Sequence, residues 1–166
     1  MKRILAIDPG SRCGWALSEA GTVVTALSGV WDLSTRRHEG AGMRMVHLER
    51  NLQQFQPWPE LVVYEEVAAH KGVSAAHVYG AIVGIVQLWC ETRSIPYCGV
   101  PVGTLKKHAT GKGNSDKDAM VLACAKRFVI QPATLDHNRA DALWLLDYAL
   151  TEIAPARETP SRETPS

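Results

Sequence analysis

Three carboxylates stand where the apolar patterning of this chain leaves no natural place for them. ILAIDPGSRCGWAL, residues 4–17, opens as an apolar strand that ends in Asp8, with a Pro9–Gly10 turn behind it. In LVVYEEV, Leu61 to Tyr64 form an apolar strand that Glu65 and Glu66 interrupt before Val67. Asp141 lies one turn inside a helix whose residues 140–150 are apolar almost all round, the mark of a buried helix. A buried carboxylate is costly unless it is paired, hydrogen-bonded or bound to metal. Two have a plain structural account taken singly: Asp8 as an Asx turn before Pro and the Glu pair as an exit to solvent. Taken together the three allow a chemical one. Three converging carboxylates repel one another and hold protons more tightly unless a divalent cation neutralises them. All-oxygen ligands favour Mg²⁺ or Mn²⁺ over zinc. Two such ions roughly 4 Å apart stabilise both the attacking and the leaving oxygen of an in-line phosphoryl displacement, which is nuclease chemistry.

The neighbours of these residues sharpen the choice. Strand alternation sends Glu65 and Glu66 to opposite faces, so only one of them can share a site with Asp8. His137 and Asn138 lie four and three residues before Asp141, on its side of the helix. Asp136 is the natural N-cap, and Asp147, further on, is expected at the solvent. Residues 104–127 hold Lys106, Lys107, Lys112, Lys117, Lys126 and Arg127 against Asp116 and Asp118, a local net of +4 in a chain of formal charge +1. That run is either a solvated surface or a phosphate-facing stripe. GNSDKDAMVLACAKRF predicts a helix with Ser115 at its N-cap and Asp118 completing a capping box. Lys117 in its first turn opposes the helix dipole, unless a phosphate is received there. TGKGN lacks the P-loop pattern, so no nucleotide cofactor is expected.

The elements that must position these groups can be read in order. Strands fit residues 3–8, 13–18 and 22–31, joined by short Gly-containing turns. A helix fits 38–55, a strand LVVYEEV, a helix 74–93, a strand IPYCGV, and two or three helices follow. Three hairpin-linked strands and then βα crossovers imply an α/β fold: a mixed five-stranded sheet with helices on both faces. The length of 166 residues suits one domain, expected over 1–152. Residues 153–166, with the repeated RETPSRETPS, are expected to be a disordered polar tail. At 46% hydrophobic and 21% charged the composition is that of a globular protein. No apolar stretch is expected to approach the roughly 20 residues that span a membrane, and MKRILAIDPG lacks the features of a secretory signal. A cytoplasmic protein without a membrane partner is the expectation. Cys13, Cys90, Cys98 and Cys124 form no CxxC pair and read as reduced, buried thiols.

The motifs together resemble the RuvC-type Holliday junction resolvases of the RNase H-like (retroviral integrase) superfamily. IDPGSRCGWAL is similar to that family's first-strand motif, VYEEV to its fourth-strand motif, LKKHATGKGNSDKDA to its basic loop and helix start, and NRADALWLL to its last-helix motif. The resemblance spans about residues 1–150. It implies an RNase H-like fold and an endonuclease selective for four-way or other branched DNA. It further implies two Mg²⁺ ions, replaceable by Mn²⁺, held by Asp8, Glu65 and Asp141 with His137 assisting. Lys106 and Lys117 would take the places of lysines that support DNA binding and catalysis, with Lys107 and Lys112 as further DNA contacts. The products would carry 5′-phosphate and 3′-hydroxyl ends, and a homodimer is implied because symmetric nicking needs two active sites. The apolar, Gly- and Ala-rich helix 74–93 is a candidate interface or a core element.

Two departures stand out. The family usually has Asp or His three residues before the last Asp, where this chain has Asn138; His137 is one residue earlier, and DHN before ADA resembles the phage-encoded branch. An aromatic wedge expected after EEV is replaced by Ala68 and Ala69, leaving His70 or Tyr79 to distort a junction. Three other readings share the opening motif or the fold. An actin-like ATPase needs a second domain for which 166 residues leave no room. A YqgF-like RNA-processing protein begins similarly, but Glu65 in its strand argues for the resolvases. A catalytically dead junction-binding scaffold would not need all three carboxylates.

Overall fold

A computed structural model describes residues 1–69 and 72–158. Its strands are β1 (Ile4–Asp8), β2 (Arg12–Ser18), β3 (Leu27–Asp32), β4 (Leu61–Glu66) and β5 (Tyr97–Pro101). Its helices are α1 (Met43–Leu52), α2 (Val73–Glu91), α3 (Val102–Thr110), α4 (Lys117–Phe128), α5 (His137–Tyr148) and α6 (Ala154–Glu158). The sheet order is β3-β2-β1-β4-β5, with β1–β2 and β2–β3 antiparallel and β1–β4 and β4–β5 parallel. This is the expected mixed five-stranded sheet.

Strand alternation splits the apolar residues between two cores. Ile4 and Ala6 of β1 and Leu61 and Val63 of β4 face Leu105, Met120, Cys124, Phe128 and Leu143 of α3, α4 and α5. Leu5, Ile7, Val62 and Tyr64 face the other way, against Leu48 and Leu52 of α1 and Ile82, Val86 and Trp89 of α2. Each fully buried Leu, Ile or Val among them contributes about 1.5–3 kcal/mol. Asp8 and Glu65 continue the 4-6-8 and 61-63-65 series, so both project on the side of α3, α4 and α5. Glu66 is exposed.

The last long helix reaches this side through a glycine. A Cβ on Gly14 would lie 2.0 Å from the Asn138 carbonyl oxygen, so only Gly allows the first turn of α5 to rest on β2. Gly14 pairs across the sheet with Asp8. The close approach therefore delivers α5 to the edge where β1 ends.

Several expectations need correction. β3 begins at Leu27 rather than 22; the preceding segment turns, with the Ala26 N–H donating to the Val23 carbonyl, and Val23 buries in the core. α1 starts at Met43 rather than 38, after Gly40 and Gly42, both poor helix formers. The N-cap of α4 is Asp116, whose carboxylate accepts from the Ala119 N–H at 2.8 Å. Ser115 instead directs its hydroxyl to Thr110 and to the Lys112 carbonyl. α2, at 19 residues, is long and apolar enough by length and composition to cross a membrane, contrary to expectation, yet one of its faces packs on the sheet. Asp147 does not reach solvent: it is 7% exposed, with His108 Nε2 2.8 Å from its Oδ2. The chain does not leave the fold at 152 either. α5 runs on through a π-helical stretch, Ala149–Ile153, into α6, and Ala154 is buried in the core. The rest of the expected tail, residues 159–166, lies outside the described residues, as does His70. Cys13, Cys90 and Cys124 are buried free thiols; Cys98 is half-buried.

Candidate active site

β1, β4 and β5 are parallel, so their C-terminal ends share one edge of the sheet, the edge where open α/β sheets bind ligands. A cleft opens there in two lobes that meet at Asp8, Pro9, Gly10 and Glu65. The smaller lobe, about 260 Å³, adds Val102 and Lys106 of α3, Lys117 and Met120 of α4, and Asn138 and Asp141 of α5. The larger, about 590 Å³, runs between the β1–β2 turn and α2, past Ser11, Val67, Ser74 and Tyr79. Thus Asp8, Glu65 and Asp141, distant in sequence, line one lobe with two lysines.

Their electrostatics match that convergence. Burial and then the charges of Glu65 and Asp141 hold the Asp8 carboxyl well above its ordinary range, and it hydrogen-bonds to Glu65. Burial likewise raises Glu65. Asp141 is pushed up to about 7, by burial first and the Glu65 charge second. Lys117 opposes the rise at all three residues, and Lys106 opposes it at Glu65 and Asp141. Two carboxyl groups in hydrogen-bond contact share a proton, and three that repel one another are a donor set that a hard divalent cation satisfies by displacing protons. The residues therefore fit Mg²⁺ or Mn²⁺ in their chemistry. Among the described residues, no group of three or more His, Cys, Asp or Glu is drawn together tightly enough to form a ready-made metal cage.

No protein-family model matches the chain. Over 146 residues it is 32% identical to the crossover junction endodeoxyribonuclease RuvC of Synechococcus sp. (strain WH7803), an alignment covering 85% of this chain and 93% of that protein. To the RuvC of Thermomicrobium roseum it is 34% identical over 122 residues, 71% of this chain and 74% of that one. The chain belongs to the RuvC family. The fold agrees: Thermus thermophilus RuvC, solved in complex with a Holliday junction substrate, superposes with a TM-score of 0.73 over 90% of this chain and 94% of its own, at 22% identity.

The sequence-predicted residues of this RuvC-family chain divide into three groups. Asp8, Glu65, Asp141, Lys106 and Lys117 come together. Lys107 and Lys112 are exposed nearby but line neither lobe. His137 is exposed on the first turn of α5 and is not brought into the cleft, whereas Asn138, pressed against β2 at Gly14, is. The Asn138 amide Nδ2 donates to Asp136 Oδ1 at 2.8 Å, and Asp136 also caps the helix through the Asn138 N–H. Arg12 Nη2 closes the arrangement at 3.3 Å from Asp136. Tyr79 serves Glu65: its hydroxyl donates to the Glu65 carbonyl oxygen at 3.1 Å and accepts from the Val67 N–H at 3.2 Å. Sequence reading missed that role, because a lone Tyr on an apolar helix carries no signal of its hydrogen-bond partner.

Proposed function

We propose that this chain is a metal-dependent, structure-selective endonuclease that hydrolyses backbone phosphodiesters in Holliday junctions and other branched DNA. The observation that carries the reading is the meeting of Asp8, Glu65 and Asp141 with Lys106 and Lys117 in one cleft lobe. Membership of a family named for crossover junction cleavage supports the substrate class.

Asp8, Glu65 and Asp141 would hold two Mg²⁺ ions, replaceable by Mn²⁺, which would supply activation of the attacking water and neutralisation of developing phosphate charge. Water attacks phosphorus, the bond to the 3′ oxygen breaks, and the products carry a 5′-phosphate and a 3′-hydroxyl. Lys106 and Lys117 bind the scissile phosphate from α3 and from the first turn of α4. In that first turn the N-terminal end of the helix dipole favours the same anion. Asn138 rather than His137 walls the site beside Asp141. Lys107 and Lys112 contact flanking phosphates, so binding weakens as salt rises. Paired nicks across a junction call for a homodimer, and we assign its contact to the outer face of α2. The protein would act with DNA in the cytoplasm of a bacterium or a phage-infected cell.

A synthetic four-way junction tests this directly. Wild-type protein should nick it in Mg²⁺ and stop when EDTA is added. Asp8→Asn should lose about 10²–10³-fold or more in rate while still binding the junction. An intact junction at every metal level, or an Asp8→Asn protein that still cuts, overturns the reading.

A further inference from the structure

We propose that Asp147 and His108 form the positioning node of this active site: a buried contact between the helices carrying Lys106 and Asp141, which Arg127 of the helix carrying Lys117 joins from the solvent side. The proposal rests on the nuclease reading of those side chains. Asp147 and Ser18 are the buried polar or charged residues among those described, and Asp147 lies outside the cleft. It sits six residues beyond Asp141 on α5. Its Oδ2 accepts from His108 Nε2 of α3 at 2.8 Å, and its Oδ1 lies 3.7 Å from Arg127 Nη2 in the last turn of α4.

The tie matters most for α3. That helix has nine residues, and Leu105 is its buried member. Leu105 and His108, three apart, share the face turned to α4 and α5, whereas Val102 and Lys106 face the cleft. Leu105 and the small Ala109 are the apolar side chains of α3 that pack on this core, so resistance to a roll about its axis depends on a further polar contact. His108 is that contact, held edge-on against Tyr148 at 5.3 Å and Trp144 at 6.0 Å between ring centres. A roll of α3 would swing Lys106 out of the lobe. Apolar residues of similar volume often replace a buried polar pair with no loss of stability, and what this pair adds is geometry. Here the geometry is the placement of Lys106.

Single-turnover cleavage of a synthetic four-way junction tests the node, with protein in excess and Mg²⁺ saturating. His108→Leu fills the volume and removes the hydrogen bond. It should melt cooperatively above the assay temperature yet cleave about 10–100-fold more slowly, with junction affinity within about threefold of wild type. His108→Gln, whose amide nitrogen reaches Asp147, should restore the rate to within about threefold. His108→Leu/Lys106→Ala should be no slower than Lys106→Ala alone, because the two changes remove one and the same contribution. If the leucine variant does not fold, His108→Ala takes its place in the cycle. A folded His108→Leu that cleaves at the wild-type rate, a glutamine variant that rescues nothing, or losses that multiply in the double variant would each overturn the node. Each of these leaves the nuclease reading intact. A wild-type protein that does not cleave removes both.

Discussion

Asp8 and Glu65 meet where the two lobes of the cleft join, and Asp141 lines the smaller lobe with its carboxyl pushed up to about 7. A folded-state value above the ordinary 3.8 means that the fold favours the protonated acid. Its contribution to stability is complete below about pH 4 and is lost as pH rises through 7. Asp141→Asn cannot ionise, so at pH 8 it should melt about 2–8 °C above wild type, with the gap closing near pH 4. Mg²⁺ should raise the melting temperature of wild type at pH 8 and leave the Asn variant nearly unmoved, because only a cation that binds the native state stabilises it. Calorimetry in both buffers, with and without Mg²⁺, checks both halves. The three acids were legible in the sequence because each violates an apolar pattern. The fourth position was not, since His137 and Asn138 both neighbour Asp141 on a helix, and it is packing against Gly14 that turns Asn138 inward.

Gly14 shows how one element places another. α5 can lie on β2 only because no Cβ intervenes, and Asp141 sits one turn further along that helix. Gly14→Ala must lift the start of α5 away from Asp8. We expect a loss of about 1–3 kcal/mol in stability and a fall in cleavage of about tenfold or more from the displaced carboxylate. Denaturant melts and junction cleavage at low temperature, where the variant stays folded, measure the two separately. At this level most of the sequence reading held: apolar runs punctuated by Pro and Gly mark β1, β2, β4 and β5. What failed depends on contacts between elements. Ser115 has the sequence signature of an N-cap, but Thr110 and Lys112 engage its hydroxyl, and Asp116 caps α4 instead. Asp147 looked like a surface residue because nothing nearby in sequence reveals His108.

Across the whole domain, the outer side of α2 presents small and apolar residues to solvent. Gly80, Ala81 and Gly84 are exposed along it, with Leu88 59% exposed at its end. Backbones can approach closely over such small residues, which suits a helix meeting its own copy about a two-fold axis. Gly84→Glu should shift a dimer to monomers at micromolar concentration, read by light scattering, and weaken self-association by about tenfold or more, since like charges would face each other at the centre of the contact. Sequence composition left this helix open as core or interface, and the structure shows the core half of that reading: Ile82, Val86 and Trp89 bury one side. The five-stranded sheet separates two cores, yet α2 serves both the packing and the cleft: its inner side joins the core with α1, and its first turns carry Ser74 and Tyr79 into the larger lobe beside Glu65. A substitution that shifts α2 therefore reaches the chemistry through one hydroxyl, that of Tyr79 on the Glu65 carbonyl.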